Sequence, residues 1–247
     1  MQLNIKIIGS GPALVFFHGW GFDHKVWLPL ANTLATKYQL YLVDLPGFGL
    51  SPLMGWDQFK EELLNRLPER FVLVGWSMGG LFASKLALEA QEKILHLVNI
   101  ASSPRFIKEG DWPGVEKIVF QNFFKNLAID PHKTINDFIS LQFRNLNHSP
   151  ALDFHPTIAP LKKGLEILEQ WDLREQLLNF KKPASYWFGR LDAITPIETM
   201  KAMQNHYPQF NYVLFPRAAH MPFLSHQFEF LEHLEYVLNE TFFYNRH

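Results

Sequence analysis

Gly75-Trp76-Ser77-Met78-Gly79 reads G-x-S-x-G and stands where an apolar run, Phe71 to Val74, gives way to a stretch with helical spacing, Gly79 to Ala90. A serine on such a strand-to-helix turn is exposed by the sharp bend, and the flanking glycines let the bend close without a steric clash. The helix N-terminus behind it favours negative charge developing on a substrate oxygen. A serine hydroxyl is a poor nucleophile until a base takes its proton, so this chemistry also needs a histidine, and an acid that fixes the histidine's tautomer. The expected chain order is serine, acid, histidine. Asp192 follows the apolar run Ala184 to Phe188 in F-G-R-L-D-A-I-T-P, and His220 follows Tyr212 to Phe215 in A-A-H-M-P. Ser77, Asp192 and His220 are the candidate catalytic set.

Each has a plainer alternative. Ser77 could cap a glycine-rich turn or belong to a phosphate cradle, although neither the P-loop string nor the dinucleotide fingerprint is present. Asp192 could be an ordinary N-cap before Thr195-Pro196. Its rival, Asp172, heads D-L-R-E and reads as a capping box with Glu175. His206, His226 and His233 fall in helical or surface-like stretches without the same placement.

Acyl-transfer chemistry needs two backbone N–H groups for the oxyanion: one from the residue after the nucleophile, Met78, and one from the loop after an early strand. His18-Gly19-Trp20-Gly21 supplies that loop, with the Trp20 amide as the expected donor and the His18 side chain as a brace. The strand-end turn Asp44-Leu45-Pro46-Gly47-Phe48-Gly49 reads as structural. No cysteine and no H-E-x-x-H spacing occur, so thiolate chemistry is excluded and neither a metal nor a cofactor is expected.

These residues must be positioned by a scaffold. Ala13 to Phe17, Gln39 to Val43, Phe71 to Val74, Leu95 to Ile100, Ala184 to Phe188 and Tyr212 to Phe215 are short apolar runs. Trp27 to Lys37, Gly79 to Ala90 and Gln227 to Asn239 have helical spacing. Strands alternating with helices predict an α/β fold with a mostly parallel central sheet covered by helices. Between Ser103 and Pro183 the pattern turns helical. Val115, Ile118, Val119, Phe123 and Leu127 share one predicted face; Ile135, Phe138, Ile139 and Leu146 share another, on Thr134 to Leu146; and Leu161 to Trp171 makes a third helix. Residues 1–102 and 183–247 therefore read as a core, and 103–182 as an inserted helical lid.

The chain has 247 residues, 47% of them apolar and 19% charged, with 23 Phe and 7 Trp, enough aromatic surface to line a lipophilic pocket as well as a core. A net charge of −1 gives no global field for nucleic acid or an anionic membrane. Met1 to Pro12 lacks a signal-peptide pattern and no apolar run is long enough to span a bilayer, so a soluble, cytoplasmic protein is expected, with a monomer as the default.

H-G-W-G, D-L-P-G-F-G-x-S, G-W-S-M-G-G, G-R-L-D and A-A-H-M-P-F together resemble the α/β-hydrolase family. Within it the chain is similar to the biotin-pathway carboxylesterases that demethylate pimeloyl-acyl-carrier-protein methyl ester. The likeness extends to A-S-S-P-R-F at Ala101 to Phe106, D-W-P-G at Asp111 to Gly114, F-I-S-L-Q at Phe138 to Gln142, and G-L-E-I-L followed by D-L-R at Gly164 to Arg174. The resemblance implies a serine carboxylesterase whose substrate pocket under the lid uses Phe138, Ile139, Ser140, Leu141 and Gln142 beside Trp20 and Met78. It also implies an ester borne on an acidic carrier protein, docked by basic residues such as Arg144, Lys162 and Lys163. Between Arg105 and Lys163 eight Lys or Arg stand against six acids, which a solvated mixed-charge face would explain equally. Another serine hydrolase of the same fold, acting on generic esters, lysophospholipids or carbon–carbon bonds, stays open, as does a non-catalytic small-molecule-binding protein.

Overall fold

The computed structural model describes residues 2–142 and 157–244. The chain runs β1 (Ile5–Ile8), β2 (Ala13–Phe17), α1 (Leu28–Leu34), β3 (Gln39–Val43), α2 (Trp56–Leu64), β4 (Phe71–Trp76), α3 (Met78–Glu89) and β5 (Ile94–Ile100). The connection to the next strand carries α4 (Lys117–Ile129), α5 (Pro131–Gln142), α6 (Ile158–Gln170) and α7 (Arg174–Leu177). The described chain then closes with β6 (Ala184–Gly189), α8 (Ile197–His206), β7 (Asn211–Phe215), α9 (Pro222–Ser225) and α10 (Gln227–Asn239).

The strands form one sheet in the order β1-β3-β2-β4-β5-β6-β7, in which β1 runs antiparallel to β3 and every other neighbouring pair is parallel. Every residue of β2, β4 and β6 is buried, as expected for parallel strands covered on both faces. Alternation divides the core. Val15, Phe17, Leu73 and Phe188 pack with α2, α3 and the β5–β6 helices, whereas Leu14, Phe16, Val74 and Trp187 pack with α1 and α10. Register aligns Phe17 with Gly75 and Gly189 with Phe215, so the loops after β2, β4, β6 and β7 all leave at the same carboxyl end of the sheet. Ligand sites of open α/β sheets form along this edge.

The six apolar runs appear as strands within two residues of their expected ends. The first strand, β1, leaves a weaker trace in the sequence: it is a four-residue edge strand with Lys6 exposed, so its alternation is incomplete. The face expected on α4 is corrected in part. The helix begins at Lys117, and Phe120, Phe123, Phe124 and Leu127 pack against the core; Ile118 is 60% exposed, whereas Val119, though 56% exposed, lines the cavity beside Ser77 together with Val115, which bridges Ile107 before the helix starts. On α5, Ile135 is buried and Phe138 and Ile139 are packed against the core, while Leu146 lies outside the described residues. Among the described residues no helix is long and apolar enough to cross a membrane.

Candidate active site

Ser77 sits between β4 and α3 with φ 55° and ψ −122°, a conformation non-glycine residues rarely adopt. The turn is tight because its glycines permit it. A Cβ on Gly75 would lie 2.5 Å from the Gly79 carbonyl oxygen, and one on Gly79 would lie 2.4 Å from the carbonyl oxygens of both Phe17 and His18. Strain of this kind costs about 1–3 kcal/mol and persists only where surrounding bonds impose it. Here the Ser77 amide donates to Ile100 O at 2.9 Å, and Ser77 O accepts from the Gly80 amide at 2.9 Å and from Ser102 Oγ at 2.8 Å.

His220 Nε2 lies 2.9 Å from Ser77 Oγ, and its Nδ1 lies 2.7 Å from Asp192 Oδ2. An ionised carboxylate only accepts, so Nδ1 carries the proton and Nε2 presents its lone pair to the hydroxyl. The histidine is held from behind as well, because the Trp76 indole N–H donates to His220 O at 2.8 Å and the two rings pack 5.6 Å apart. Asp192 Oδ1 accepts the amides of Ile194 at 2.8 Å and Thr195 at 3.1 Å, and Oδ2 accepts the Thr195 hydroxyl at 2.5 Å. The carboxylate therefore closes its own loop and does not cap α8, whose N-cap is Pro196. All three side chains are buried, with Ser77 5%, Asp192 5% and His220 2% exposed.

Met78 is the first residue of α3, where an amide has no partner within the helix. The loop after β2 lies against the serine: a Cβ on Gly19 would come within 3.2 Å of Ser77 Cβ. His18 braces that loop, with Nδ1 2.8 Å from Gly19 O and Nε2 accepting the Leu45 amide at 2.9 Å. This pairing demands a neutral ring protonated on Nδ1, and burial accordingly pushes the His18 pKa down. Beside Ser77 opens a cavity of about 180 Å³ lined by Trp20, Phe120, Phe123, Phe138, Leu141 and Leu165 among others, and closed near Asp192 by Ala193 and Ile194. It is smaller than the roughly 300–1,000 Å³ of drug-sized sites, and its apolar walls suit a slim aliphatic chain.

The Alpha/beta hydrolase family matches residues 14–233. The chain belongs to this family. It is 53% identical over 226 residues to the pimeloyl-[acyl-carrier protein] methyl ester esterase of Legionella pneumophila (strain Paris), covering 92% of this chain and 95% of that protein. The protein of the same name from Aeromonas hydrophila subsp. hydrophila is 38% identical over 253 residues, covering 96% of this chain and all of that protein (100%). Among solved structures, an esterase from Exiguobacterium antarcticum superposes with a TM-score of 0.89 at 22% identity, covering 96% of this chain and 95% of that one. A bromoperoxidase from Bacillus anthracis gives 0.87 at 23% identity, with coverage of 96% and 95%. At those identities the structural likeness speaks for the fold alone, which is that of an alpha/beta hydrolase.

The residues expected from the lid motif divide. Phe138 and Leu141 line the cavity with Trp20 and Ser77, whereas Ile139, Ser140 and Gln142 are not part of its wall. Ser140 points outward and is exposed, while Gln142 is buried, its side-chain amide 3.4 Å from Phe138 O. Of the docking candidates, Arg144 lies outside the described residues, Lys162 is half-buried, and Lys163 is exposed and paired with Glu166 at 2.9 Å. The expected capping box at Asp172 does not form. That carboxylate accepts the Arg174 amide and pairs with its guanidinium, and the N-cap of α7 is Leu173.

Sequence reasoning missed Thr195, Ser102 and the cavity residues Phe106, Phe120, Leu165, Leu168, Ala193 and Ile194. Phe120 was legible as the i−3 partner of Phe123. Thr195 carried no signal beyond standing three residues after the acid.

Proposed function

We propose that this chain hydrolyses the methyl ester of pimeloyl-acyl-carrier protein, the activity that names its Legionella and Aeromonas relatives. The reading is carried by one observation: a hydrogen-bonded line from Asp192 through His220 to Ser77 that ends at an apolar cavity. Ser77 Oγ attacks the ester carbonyl carbon while His220 Nε2 takes its proton, and the amides of Trp20 and Met78 donate hydrogen bonds to the oxyanion. The intermediate collapses, His220 returns the proton to the departing methoxide, and methanol leaves an acyl-serine. Water then gives a proton to His220 and attacks the acyl carbon; the bond to Oγ breaks as His220 returns that proton to Oγ, which regenerates Ser77 and frees the carboxylic acid. Ester and water become acid and methanol, with no cofactor needed.

In this reading residues 103–182 act as a lid on a core of residues 1–102 and 183–247. Phe123 and Phe138 hold the aliphatic chain, and Lys162 and Lys163, with Arg144, offer positive charge to an acidic carrier. The enzyme works as a soluble cytoplasmic monomer.

The direct test supplies pimeloyl-acyl-carrier-protein methyl ester and the free methyl ester in parallel and follows methyl loss by mass spectrometry. Faster turnover of the carrier-borne ester is expected. Equal turnover of both would reduce the activity to that of a general carboxylesterase. Failure of a fluorophosphonate to label Ser77 would remove the nucleophile altogether.

A further inference from the structure

We propose that the indole of Trp20 is a positioning group that couples the acyl cavity to the oxyanion loop, and that Gly164 makes this coupling possible. The inference rests on the reading above, in which the amides of Trp20 and Met78 receive the oxyanion.

The two donor residues share a contact made by their side chains, away from the amides. From the loop after β2, Trp20 reaches into the β5–β6 helices, where its Nε1 donates to Leu161 O on α6 at 2.8 Å. Its ring meets Phe123 and Phe138 edge-on, with centroids 5.5 and 5.1 Å away. Gly164 lies three residues beyond Leu161 on the same helix. A Cβ there would fall 2.6 Å from Trp20 Cδ1, 3.1 Å from Trp20 Nε1 and 3.1 Å from Met78 Sδ. The side chains of both proposed donor residues therefore converge on one spot of α6 that only a glycine leaves open. Any larger residue must lift the helix or turn the indole, and either movement breaks the bond to Leu161.

Phe123 and Phe138 are also walls of the cavity. An acyl chain long enough to fill it bears on these rings, and they bear on the indole of the residue whose own amide is the proposed oxyanion donor. A short acyl group leaves them unloaded. Acyl length is therefore read partly in kcat, through the geometry of the transition-state site, in addition to KM.

The test measures kcat and KM for p-nitrophenyl acetate and p-nitrophenyl hexanoate with the full chain, W20F, G164A and the double variant. W20F keeps an aromatic ring against Phe123 and Phe138 and leaves the Trp20 amide in the backbone; only the indole N–H and part of the ring are lost. The unaltered enzyme should show a higher kcat for hexanoate than for acetate. In W20F the hexanoate kcat should fall about tenfold, less than the roughly 10²–10³ typical when a hole donor is removed outright, and the acetate kcat should fall less, so that the ratio moves toward one. G164A should fall the same way. Because both act through one contact, the double variant should be no slower than the poorer single.

Effects confined to KM, equal losses for both esters, or additive losses would overturn the coupling. If G164A fails to fold, W20F alone decides, since its kcat ratio is read in a protein that lacks the bond to Leu161 O but retains an aromatic ring. Labelling of Ser77 by a fluorophosphonate separates the failures. Without labelling in the unaltered enzyme the site reading falls and the coupling with it; with labelling and an unchanged kcat ratio in W20F, the coupling alone falls.

Discussion

Two buried histidine–aspartate pairs sit in this molecule with nearly the same contact and different surroundings. His24 Nδ1 lies 2.8 Å from Asp44 Oδ1, and His220 Nδ1 lies 2.7 Å from Asp192 Oδ2. Asp44 has no exposed surface, and its carboxylate also accepts the His24 amide, the Leu50 amide and Asn4 Nδ2. These contacts tie the strand-end turn after β3 to the N-terminal strand and to the loop after β2. Burial alone would raise the Asp44 pKa, but the hydrogen bond from His24 and the amides of Leu50 and His24 outweigh it and hold it at about 2. Asp192 is bonded as fully, yet its histidine passes the interaction on to a hydroxyl beside a cavity. A buried His–Asp pair is thus not a catalytic signature by itself. The far nitrogen of His220 meets the Ser77 hydroxyl, which is the contact the proposed chemistry requires. Asp23, His24 and Asp44 also lie close enough to suggest a metal cluster, but the hydrogen bonds to the Asp44 oxygens account for its place in the fold.

The sharpest way to break the comparison is to remove each pair's working end. Ser77→Ala or His220→Ala should lower kcat by about 10⁶, as concerted triads do, with the fold intact by circular dichroism. Asp192→Asn should cost about 10⁴ in kcat, because an amide can no longer hold the productive tautomer. A steady-state assay showing tenfold or smaller losses for any of these would place the chemistry elsewhere. Asp44→Asn should do the reverse. Denaturant melts should lose about 3 kcal/mol, since an amide cannot accept all the donors gathered there, while kcat per folded molecule stays within about twofold.

Acid titration separates the pairs further. Asp44, lowered from 3.8 to about 2, contributes stability that is complete above the unfolded value and is lost as pH falls through about 2. The size of that step is about 2 kcal/mol. His96 behaves differently. It is buried against Ser185, its Nε2 2.8 Å from the hydroxyl, and burial lowers its pKa from 6.5 to about 4. A histidine kept neutral in the fold stabilises fully above its unfolded value, and this contribution, about 3 kcal/mol, is lost as pH falls from 6.5 through about 4. Unfolding free energy measured against pH should therefore decline in two stretches, and Asp44→Asn should reduce only the lower one, which Glu89, held at about 2 by Lys60, Lys85 and Trp56 against its burial, shares. Loss of the upper stretch in that variant would mean the Asp44 knot carries more of the acid response than its bonds imply.

The sequence shows one pair and hides the other for physical reasons. Ser77, Asp192 and His220 each fall at the end of an apolar run, and parallel strands put those ends side by side, so one-dimensional placement already contains the three-dimensional meeting. Asp44 also ends a strand, and its glycine-rich turn reads as structural, but its partners Asn4 and His24 come from segments with no periodicity that would point to it. The cavity is harder still. A helical stripe can be seen from spacing, yet which way it faces is set by packing, and on α4 Ile118 is left exposed while Val119 and Phe120 both line the cavity. Ser140 shows the same limit: it stands within a motif whose Phe138 and Leu141 line the cavity, but two residues along a helix is a rotation of about 200°, which carries Ser140 to the opposite side.

The smallest expected effect tests the knot from its far edge. Asn4 Nδ2 donates to Asp44 Oδ2 at 2.7 Å, while the Asn4 amide donates to Ser51 Oγ at 2.9 Å and would survive a side-chain change. Asn4→Ala removes one donor from a carboxylate that keeps two amides and a histidine, so the stability loss should be about 1 kcal/mol, near the ordinary net value of one hydrogen bond. The charged form of Asp44 loses support, so its pKa rises toward 3.8 and the lower stretch of the acid decline should begin at higher pH. Because the variant touches nothing between Asp192 and Ser77, kcat should not move. A shift in kcat without a shift in the acid decline would show that the turn after β3 serves the reacting residues through the His18 brace, whose Nε2 accepts the Leu45 amide at 2.9 Å, and the two pairs would then be parts of one device.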